Sequence, residues 1–104
     1  MAKKTLKDLA EELLAELKDS LRLTKVEVED EDPSFVTIRL YEEDDVVVDD
    51  DDDKLAECGQ IANVLARKSL ELWDEYEERY IQYDMIDDCV EYDGDWYNVW
   101  LREK

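Results

Sequence analysis

Carboxylates are the reactive groups that this sequence supplies in quantity. The chain of 104 residues holds 32 Asp and Glu against 13 Lys and Arg, and its net charge is −19. Many of the acids stand in three runs, Glu29–Asp32, Glu42–Asp45 and Asp49–Asp53. Clustered carboxylates serve either as oxygen ligands for cations or as a negative field that attracts basic partners. The composition of the rest of the chain favours the second role, the attraction of a basic partner.

The residue types that are missing argue against catalysis. The chain has no His, so it lacks the commonest general base and a frequent zinc ligand. Cys58 and Cys89 have no His partner for nucleophilic catalysis, and their spacing excludes a CxxC site. Two glycines cannot build a phosphate-binding Gly-rich loop. We therefore expect a protein without enzymatic activity and without a cofactor, whose two cysteines are reduced.

The aspartate runs also raise the question of calcium. An EF-hand loop around Asp93-Gly94 would place Cys89 and Glu91 at the first ligand positions and Trp100 at the twelfth, so the pattern fails. The run Asp49–Asp53 could attract divalent cations loosely, without the ligand geometry of a dedicated site. We therefore predict no specific metal site.

The negative charge is confined to the last three quarters of the chain. Residues 1–28 hold six basic and six acidic residues, whereas residues 29–104 hold 7 basic and 26 acidic ones. An adaptation for solubility or high salt would spread acids over every element, whereas a localised field indicates a binding surface. Because such a field repels nucleic acids and anionic membranes, the expected partner is a basic protein.

Two helices are predicted. Thr5 and Asp8 have the spacing of a capping box, and apolar residues follow at helical spacing to about Leu21. A second helix is predicted to begin in the aspartates 49–53, which suit a helix N-terminus, and to run to about Gln82. Its inward stripe would be Leu55, Cys58, Ala62, Leu65, Ser69, Leu72, Tyr76 and Tyr80. Its outer face would carry Glu71, Asp74, Glu75, Glu77 and Glu78.

Alternating apolar residues predict strands at Thr24–Glu29 and Phe35–Tyr41, and a short apolar run predicts a third at Val46–Val48. The connections between them are short, which indicates antiparallel pairing. In such a meander the first and third acidic runs would lie at one end of the sheet and the second run at the other.

The last quarter of the chain predicts a hairpin around Asp93-Gly94. A two-residue loop there pairs Val90 with Tyr97 and Ile86 with Leu101. One face then carries Ile86, Val90, Tyr97, Val99 and Leu101, and the other carries Met85, Cys89, Trp96, Asn98 and Trp100. The full order is αβββαββ. It predicts one α+β domain, residues 1–104, with a five-stranded antiparallel sheet and both helices on one face.

Trp96 and Trp100 fall on the predicted sheet face away from the helices. Together with Phe35 and Tyr41 they form either a second small cluster or an exposed patch. An uncovered aromatic patch marks an interface, and Trp is a frequent hot spot there. We therefore predict that this face contacts a partner, either a second copy of the chain or the target itself.

In size, acidity and α+β build the whole chain resembles small acidic nucleic-acid mimics, notably phage anti-CRISPR and anti-restriction proteins. The resemblance rests on no sequence motif. It implies a non-catalytic inhibitor whose carboxylates occupy the basic nucleic-acid groove of a host defence nuclease complex. Immunity proteins that plug the cleft of a toxic nuclease fit nearly as well, and a highly soluble protein without mimicry is a third alternative.

The candidate partner-binding residues are the three acidic runs, the acids of the predicted outer helix face and the two tryptophans. They are Glu29, Asp30, Glu31, Asp32, Glu42, Glu43, Asp44, Asp45, Asp49, Asp50, Asp51, Asp52, Asp53, Glu71, Asp74, Glu75, Glu78, Trp96 and Trp100. The chain has no signal-peptide pattern and no apolar run near 18 residues, so we expect it to act in the cytoplasm, that of the host cell if a phage encodes it.

Overall fold

A computed structural model describes residues 3–32, 34–43 and 51–104, with side chains for all of these except 30, 31 and 51–54. The fold is α+β, as predicted. Its elements are α1 (Leu6–Leu21), β1 (Leu23–Asp32), β2 (Phe35–Glu42), α2 (Asp51–Ala66), β3 (Glu71–Asp74), β4 (Arg79–Tyr92) and β5 (Trp96–Glu103). The five strands form one antiparallel sheet in the order β1-β2-β5-β4-β3.

Helix α1 is fixed at both ends, and the predicted capping box is confirmed. The backbone N–H of Asp8 donates to the Thr5 hydroxyl at 3.3 Å, and the Thr5 N–H donates to the Asp8 carboxylate at 2.9 Å. These bonds satisfy N–H groups that a helix start otherwise leaves unpaired. Arg22 ends the helix in a left-handed conformation with φ of 54°, and the chain enters β1 directly.

Both helices pack on the same face of the sheet over one apolar core. The two central strands contribute alternate residues to it, Val36, Ile38 and Leu40 from β2 and Tyr97, Val99 and Leu101 from β5. Helix α1 contributes its leucine stripe, and α2 contributes Ile61 and Leu65. The predicted inward positions of β1, Val26 and Val28, are partly buried against this core.

The prediction that the second helix extends to Gln82 is wrong, because α2 ends at Ala66. Its last turn is tightened by bonds from the N–H groups of Arg67 and Lys68 to carbonyls three residues earlier, at 3.1 and 3.0 Å. The chain then forms the β3–β4 hairpin, in which Leu72 pairs with Ile81 and both are buried.

The predicted inward stripe of α2 fails at both ends. Leu55 is 69% exposed, and Tyr76 at the tip of the β3–β4 turn is 83% exposed. Leu65 is buried within the helix, and Leu72 is buried on a strand instead. The predicted strand Val46–Val48 lies outside the described residues, and β3 supplies the fifth strand of the sheet.

The predicted terminal hairpin is present, but its register is wrong. The N–H of Asp93 donates to the carbonyl of Trp96 at 2.8 Å, so the loop consists of Gly94 and Asp95 rather than Asp93 and Gly94. Gly94 has φ of 75°, which hairpin turns of this length require at the first loop position. Val90 therefore pairs with Val99.

A wide bulge shifts the register again farther along β4. Met85 pairs with Leu101, so residues 86–89 of β4 lie opposite Trp100 alone. Asp88 within this bulge has φ of 56°. Met85 consequently packs against the main core, not on the tryptophan face as predicted.

Candidate functional site

The described acids concentrate in the β3–β4–β5 segment. Between residues 71 and 95 the chain holds 11 acidic residues and one basic residue, Arg79, for a net charge of 1 − 11 = −10. All of these acids are exposed except Asp74, which is half-buried. We name this set the acidic surface. Its members are Glu71, Asp74, Glu75, Glu77, Glu78, Asp84, Asp87, Asp88, Glu91, Asp93 and Asp95.

The β3–β4 turn holds one end of the acidic surface in a defined shape. The Asp74 carboxylate accepts hydrogen bonds from the backbone N–H groups of Tyr76 and Glu77, at 3.4 and 3.3 Å. Glu78 has φ of 53°, which closes the four-residue turn. This end carries four of the predicted partner-binding residues, on a strand and a turn rather than on a helix face: Glu71, Asp74, Glu75 and Glu78.

Arg79 is the one cation within the acidic surface, and it is held by two carboxylates. Its guanidinium lies 2.6 Å from Glu77 and 3.2 Å from Glu103. The hydrogen bonds to these two carboxylates raise the pKa of Arg79. The remaining acids of the segment stay a strong negative field toward solvent.

Sequence reasoning missed the acids of β4 and of the following loop. Asp84, the adjacent pair Asp87-Asp88 and Glu91 are separated from one another by apolar residues, so they form no long run. The net charge of a longer stretch of sequence, such as residues 71–95, would have indicated these acids. The bulge places Asp87 and Asp88 side by side in solvent, an arrangement that alternation along a regular strand would not have produced.

The first predicted acidic run has local structural partners. Glu29 forms an ion pair with Arg39 at 2.8 Å. Asp32 accepts hydrogen bonds from the N–H and the hydroxyl of Ser34, at 3.0 and 2.7 Å, and these bonds lower the pKa of Asp32. The side chains of Asp30 and Glu31 lie outside the described set. The turn that follows this run lies at the same end of the sheet as the β3–β4 turn.

Glu42, one of the predicted partner-binding acids, is only 8% exposed. The Tyr92 hydroxyl, which lies beside the Glu42 carboxylate, donates to the carbonyl of Gly94, and the Tyr97 hydroxyl donates to Glu57 of α2. Burial, followed by these carboxylates, raises the pKa of both tyrosines. Glu42 is therefore part of the packing between α2 and the sheet, while Glu43 is exposed.

Only the end of the third run lies within the described residues. Asp44, Asp45, Asp49 and Asp50 lie outside them, and Asp51–Asp53 open helix α2. Glu57, shortly after them, bonds to Tyr97 near the end of the sheet where Glu42 lies. The predicted position of the third run beside the first stays a prediction.

Trp96 and Trp100 lie on the sheet face away from the helices, as predicted, and both are half-buried. The Tyr41 ring is 5.7 Å from that of Trp96, and the Arg39 guanidinium is also 5.7 Å from the Trp96 ring. Phe35 at the edge of this group is 42% exposed. We name Phe35, Tyr41, Trp96 and Trp100 the aromatic face; it is a partly closed cluster whose rim remains open.

The described residues contain no group of three His, Cys, Asp or Glu side chains that could hold a metal ion. Neither of the helices seen in the described ranges is long and apolar enough to cross a membrane. Comparisons of the chain with protein-family models, with curated proteins and with solved structures found no match.

Proposed function

We propose that this protein is a non-catalytic inhibitor that occupies the basic nucleic-acid-binding groove of a host defence nuclease complex. In this proposal the carboxylates of the acidic surface take the place of nucleic-acid phosphates, as in phage anti-CRISPR or anti-restriction proteins. The protein would act in the cytoplasm of the host cell.

One observation carries the proposal: between residues 71 and 95 the chain holds eleven acids, ten of them exposed, and a single arginine. Like charges held this close repel one another and destabilise the folded chain. Local structure accounts for few of them: Asp74 binds the backbone of the β3–β4 turn, Glu77 pairs with Arg79, and Glu71 accepts a hydrogen bond from Gln82. A partner that presents positive charge would offset the repulsion.

The dimensions of β4 suit this role. A strand of 14 residues spans up to about 45 Å at about 3.3 Å per residue, and the longest extent of the molecule is 44 Å. Nucleic acid spaces the phosphates of one strand about 3.4 Å apart along its axis, so 44 Å corresponds to about 13 nucleotide steps. Acids at the two turns and at the central bulge of β4 thus distribute negative charge along a comparable line.

An immunity protein that plugs the active-site cleft of a toxic nuclease is the second candidate. The β3–β4 turn favours it, because this turn is short and exposed, with Tyr76 next to Glu75, Glu77 and Glu78. A small acidic group of this kind suits a cleft better than a long groove. The gene that neighbours the coding sequence would separate the two candidates.

The proposal is tested by capture of nucleic-acid-binding proteins from a nuclease-rich bacterial lysate. We expect a captured basic protein to be released by duplex DNA or by RNA, and its affinity to fall at least tenfold when salt rises from about 0.05 to about 0.5 M, since exposed charges are then screened. An affinity that does not depend on salt would contradict the electrostatic mechanism.

Two double variants with the same charge change provide the matched control. Asp87→Asn with Glu91→Gln removes two charges from the acidic surface, and Glu11→Gln with Asp19→Asn removes two exposed charges from α1. The first pair should weaken binding several-fold, and the second should leave it unchanged. Equal effects of the two pairs would show that net charge, rather than the acidic surface, attracts the partner.

A further inference from the structure

A cavity of about 210 Å³ lies between the start of α1 and the β3–β4 turn. Its apolar lining comes from Val28, Val36 and Leu72, residues of three different strands. Sites for drug-sized molecules measure about 300–1,000 Å³, so this cavity is too small for such a ligand. Its volume suits the insertion of one long side chain.

Two aromatic residues, Trp73 and Tyr76, line the same cavity. Trp73 is held in place by the ring of Tyr80, whose centroid is 5.1 Å away, and by its backbone N–H, which donates to the carbonyl of Lys4 at 2.7 Å. Tyr76 is 83% exposed. A large aromatic side chain this open to solvent, beside an apolar cavity, is typical of an interaction hot spot.

The Trp73 ring already attracts a cation from its own chain. The Nζ atom of Lys3 lies 3.4 Å from the centre of the Trp73 ring. An ammonium or guanidinium group over the face of an indole is attracted by the negative ring face. Lys3 therefore shows which chemical group the Trp73 ring accepts.

The surrounding charge favours the same class of ligand. Asp74 and Glu75 line the cavity, and Glu77 and Glu78 continue the turn beside it. Lys7 also lines the cavity, and its positive charge opposes that of the carboxylates. Because Glu77 is paired with Arg79, the turn carboxylates set against Lys3 and Lys7 are Asp74, Glu75 and Glu78. The balance stays negative, so a further cation is drawn to this end of the molecule.

We propose that the cavity receives an arginine side chain of a basic partner protein. The methylene stem would lie on Val28, Val36 and Leu72, and the guanidinium would stack on Trp73 and Tyr76 beside the Glu75 carboxylate. Arginine fits better than lysine because its planar group stacks on aromatic rings and is more weakly hydrated. The inference rests on the proposed function in one respect, the basic character of the partner, and it assigns Lys3 as an intramolecular competitor.

The test uses the full chain and N-acetyl-arginine amide as the probe. The indole N–H resonance of Trp73, assigned with Trp73→Phe, should shift and saturate as the probe is added. Trp96 and Trp100 on the opposite sheet face provide internal controls and should not move. N-acetyl-leucine amide should produce no saturable shift, and the N-acetyl-lysine amide should bind more weakly than the arginine probe.

Three variants test whether each residue strengthens, weakens or does not affect binding of the arginine probe. Tyr76→Ala should weaken probe binding about two- to fivefold, the loss expected for one exposed cation–π contact. Lys3→Gln should strengthen binding, because it removes the competing ammonium group. Leu55→Ala, a truncation of another exposed apolar side chain, should change nothing.

The proposal is overturned if the Trp73 resonance does not saturate, if the leucine probe acts equally, or if Tyr76→Ala binds the probe as well as the parent chain does. A lysine probe that binds more tightly would overturn the choice of arginine. These outcomes are independent of the lysate experiment. A chain that binds the probe but captures no basic protein contradicts the proposed function alone.

Discussion

Glu57 of α2 accepts a hydrogen bond from the hydroxyl of Tyr97, a fully buried residue of β5. The two residues are separated by 40 positions in the chain, so this bond joins the second helix to the centre of the sheet. Tyr92 packs against Tyr97 with ring centroids 4.9 Å apart, and its hydroxyl, beside Glu42, donates to the carbonyl of Gly94. One buried and one half-buried phenol thus lie together with two carboxylates.

We predict that the protein loses stability as pH rises above about 10. Burial and the neighbouring carboxylates raise the pKa of Tyr92 and Tyr97 in the folded chain, whereas tyrosine in an unfolded chain titrates near pH 10. Above that pH the unfolded state binds fewer protons than the folded state, so the free energy of unfolding decreases. Urea denaturation between pH 7 and pH 11 measures this decrease.

The variant Tyr97→Phe identifies the source of that pH dependence. It should lower the free energy of unfolding at pH 7 by about 1 kcal/mol, because Glu57 loses a hydrogen-bond donor. It should also make the alkaline decrease shallower. Tyr76→Phe, the same change at an exposed hydroxyl, is the control. An unchanged alkaline slope in Tyr97→Phe would mean that other groups cause the decrease.

We predict that the aromatic face is an interface and that Trp100→Ala disrupts a dimer or complex while the monomer stays folded. Around this face Lys25, Arg39 and Arg102 offset most of the charge of Glu27, Glu29, Asp84 and Glu91, so a second copy meets less repulsion here than at the β3–β4 turn. Analytical ultracentrifugation of the parent chain and the variant measures the assembly. Unchanged assembly together with a collapsed melting temperature would identify Trp100 as a core residue.

The two cysteines should differ in reactivity. Cys89 in the β4 bulge is 5% exposed, and burial raises the pKa of its thiol, whereas Cys58 is half-buried. Because the thiolate is the reactive form, iodoacetamide at pH 8 should modify Cys58 at least about tenfold faster than Cys89. Mass spectrometry of Cys58→Ser and Cys89→Ser gives the two rates separately. Faster modification of Cys89 would show that the bulge opens in solution.

The bulge also predicts an unusual response to substitution at Asp88. A side chain with φ of 56° is strained unless the residue is Gly, Asn or Asp, so Asp88→Ala should be less stable than Asp88→Gly by about 1 kcal/mol. Neighbouring Asp87 lacks a positive φ, and there the alanine variant should be the more stable of the two. Thermal denaturation of the four variants measures the order of stability at each position. The same order at both positions would contradict this bulge geometry.

Much of the fold could be predicted from local sequence signals. The capping box of Thr5 and Asp8, the leucine stripe of α1 and the alternation in β2 act within one element, and all three are confirmed. The hairpin near Gly94 was also recognised, because few residues other than glycine accept the required φ. Its register was not, because the loop consists of Gly94 and Asp95 rather than Asp93 and Gly94. The three extra residues of the β4 bulge then shift the pairing again and follow no local rule.

The β3–β4 hairpin was mistaken for helix because its apolar residues have helical spacing. Leu72, Tyr76 and Tyr80 are spaced by four, which fits one helix face, but they lie on β3, in the turn and on β4. The pairs Leu72–Ile81 and Trp73–Tyr80 decide in favour of strands, and such cross-strand contacts cannot be read from spacing. The pair Arg67-Lys68 was the available sign that the helix ends nearby.

The site was predicted less well than the fold, because runs of acids are a poor guide to exposure. Glu42 belongs to a run and is buried, whereas the scattered acids Asp84 and Glu91 are exposed. Each of these outcomes depends on the strand register. The negative charge is localised, as expected. Most of the described acids that produce it lie in the second half of the chain.

The irregular course of β4 also bears on how the protein avoids polymerisation. Among the described strands, residues 84–92 of β4 pair with β5 alone, so one edge of that stretch carries no neighbouring strand. Open edges of this kind recruit strands from other molecules and seed fibrils. The bulge breaks the regular row of backbone groups, and Asp84, Asp87, Asp88 and Glu91 would meet identical charges on an incoming copy. Concentrated solutions should therefore stay free of fibrils near neutral pH, and fibrils should form only in acid that protonates these carboxylates.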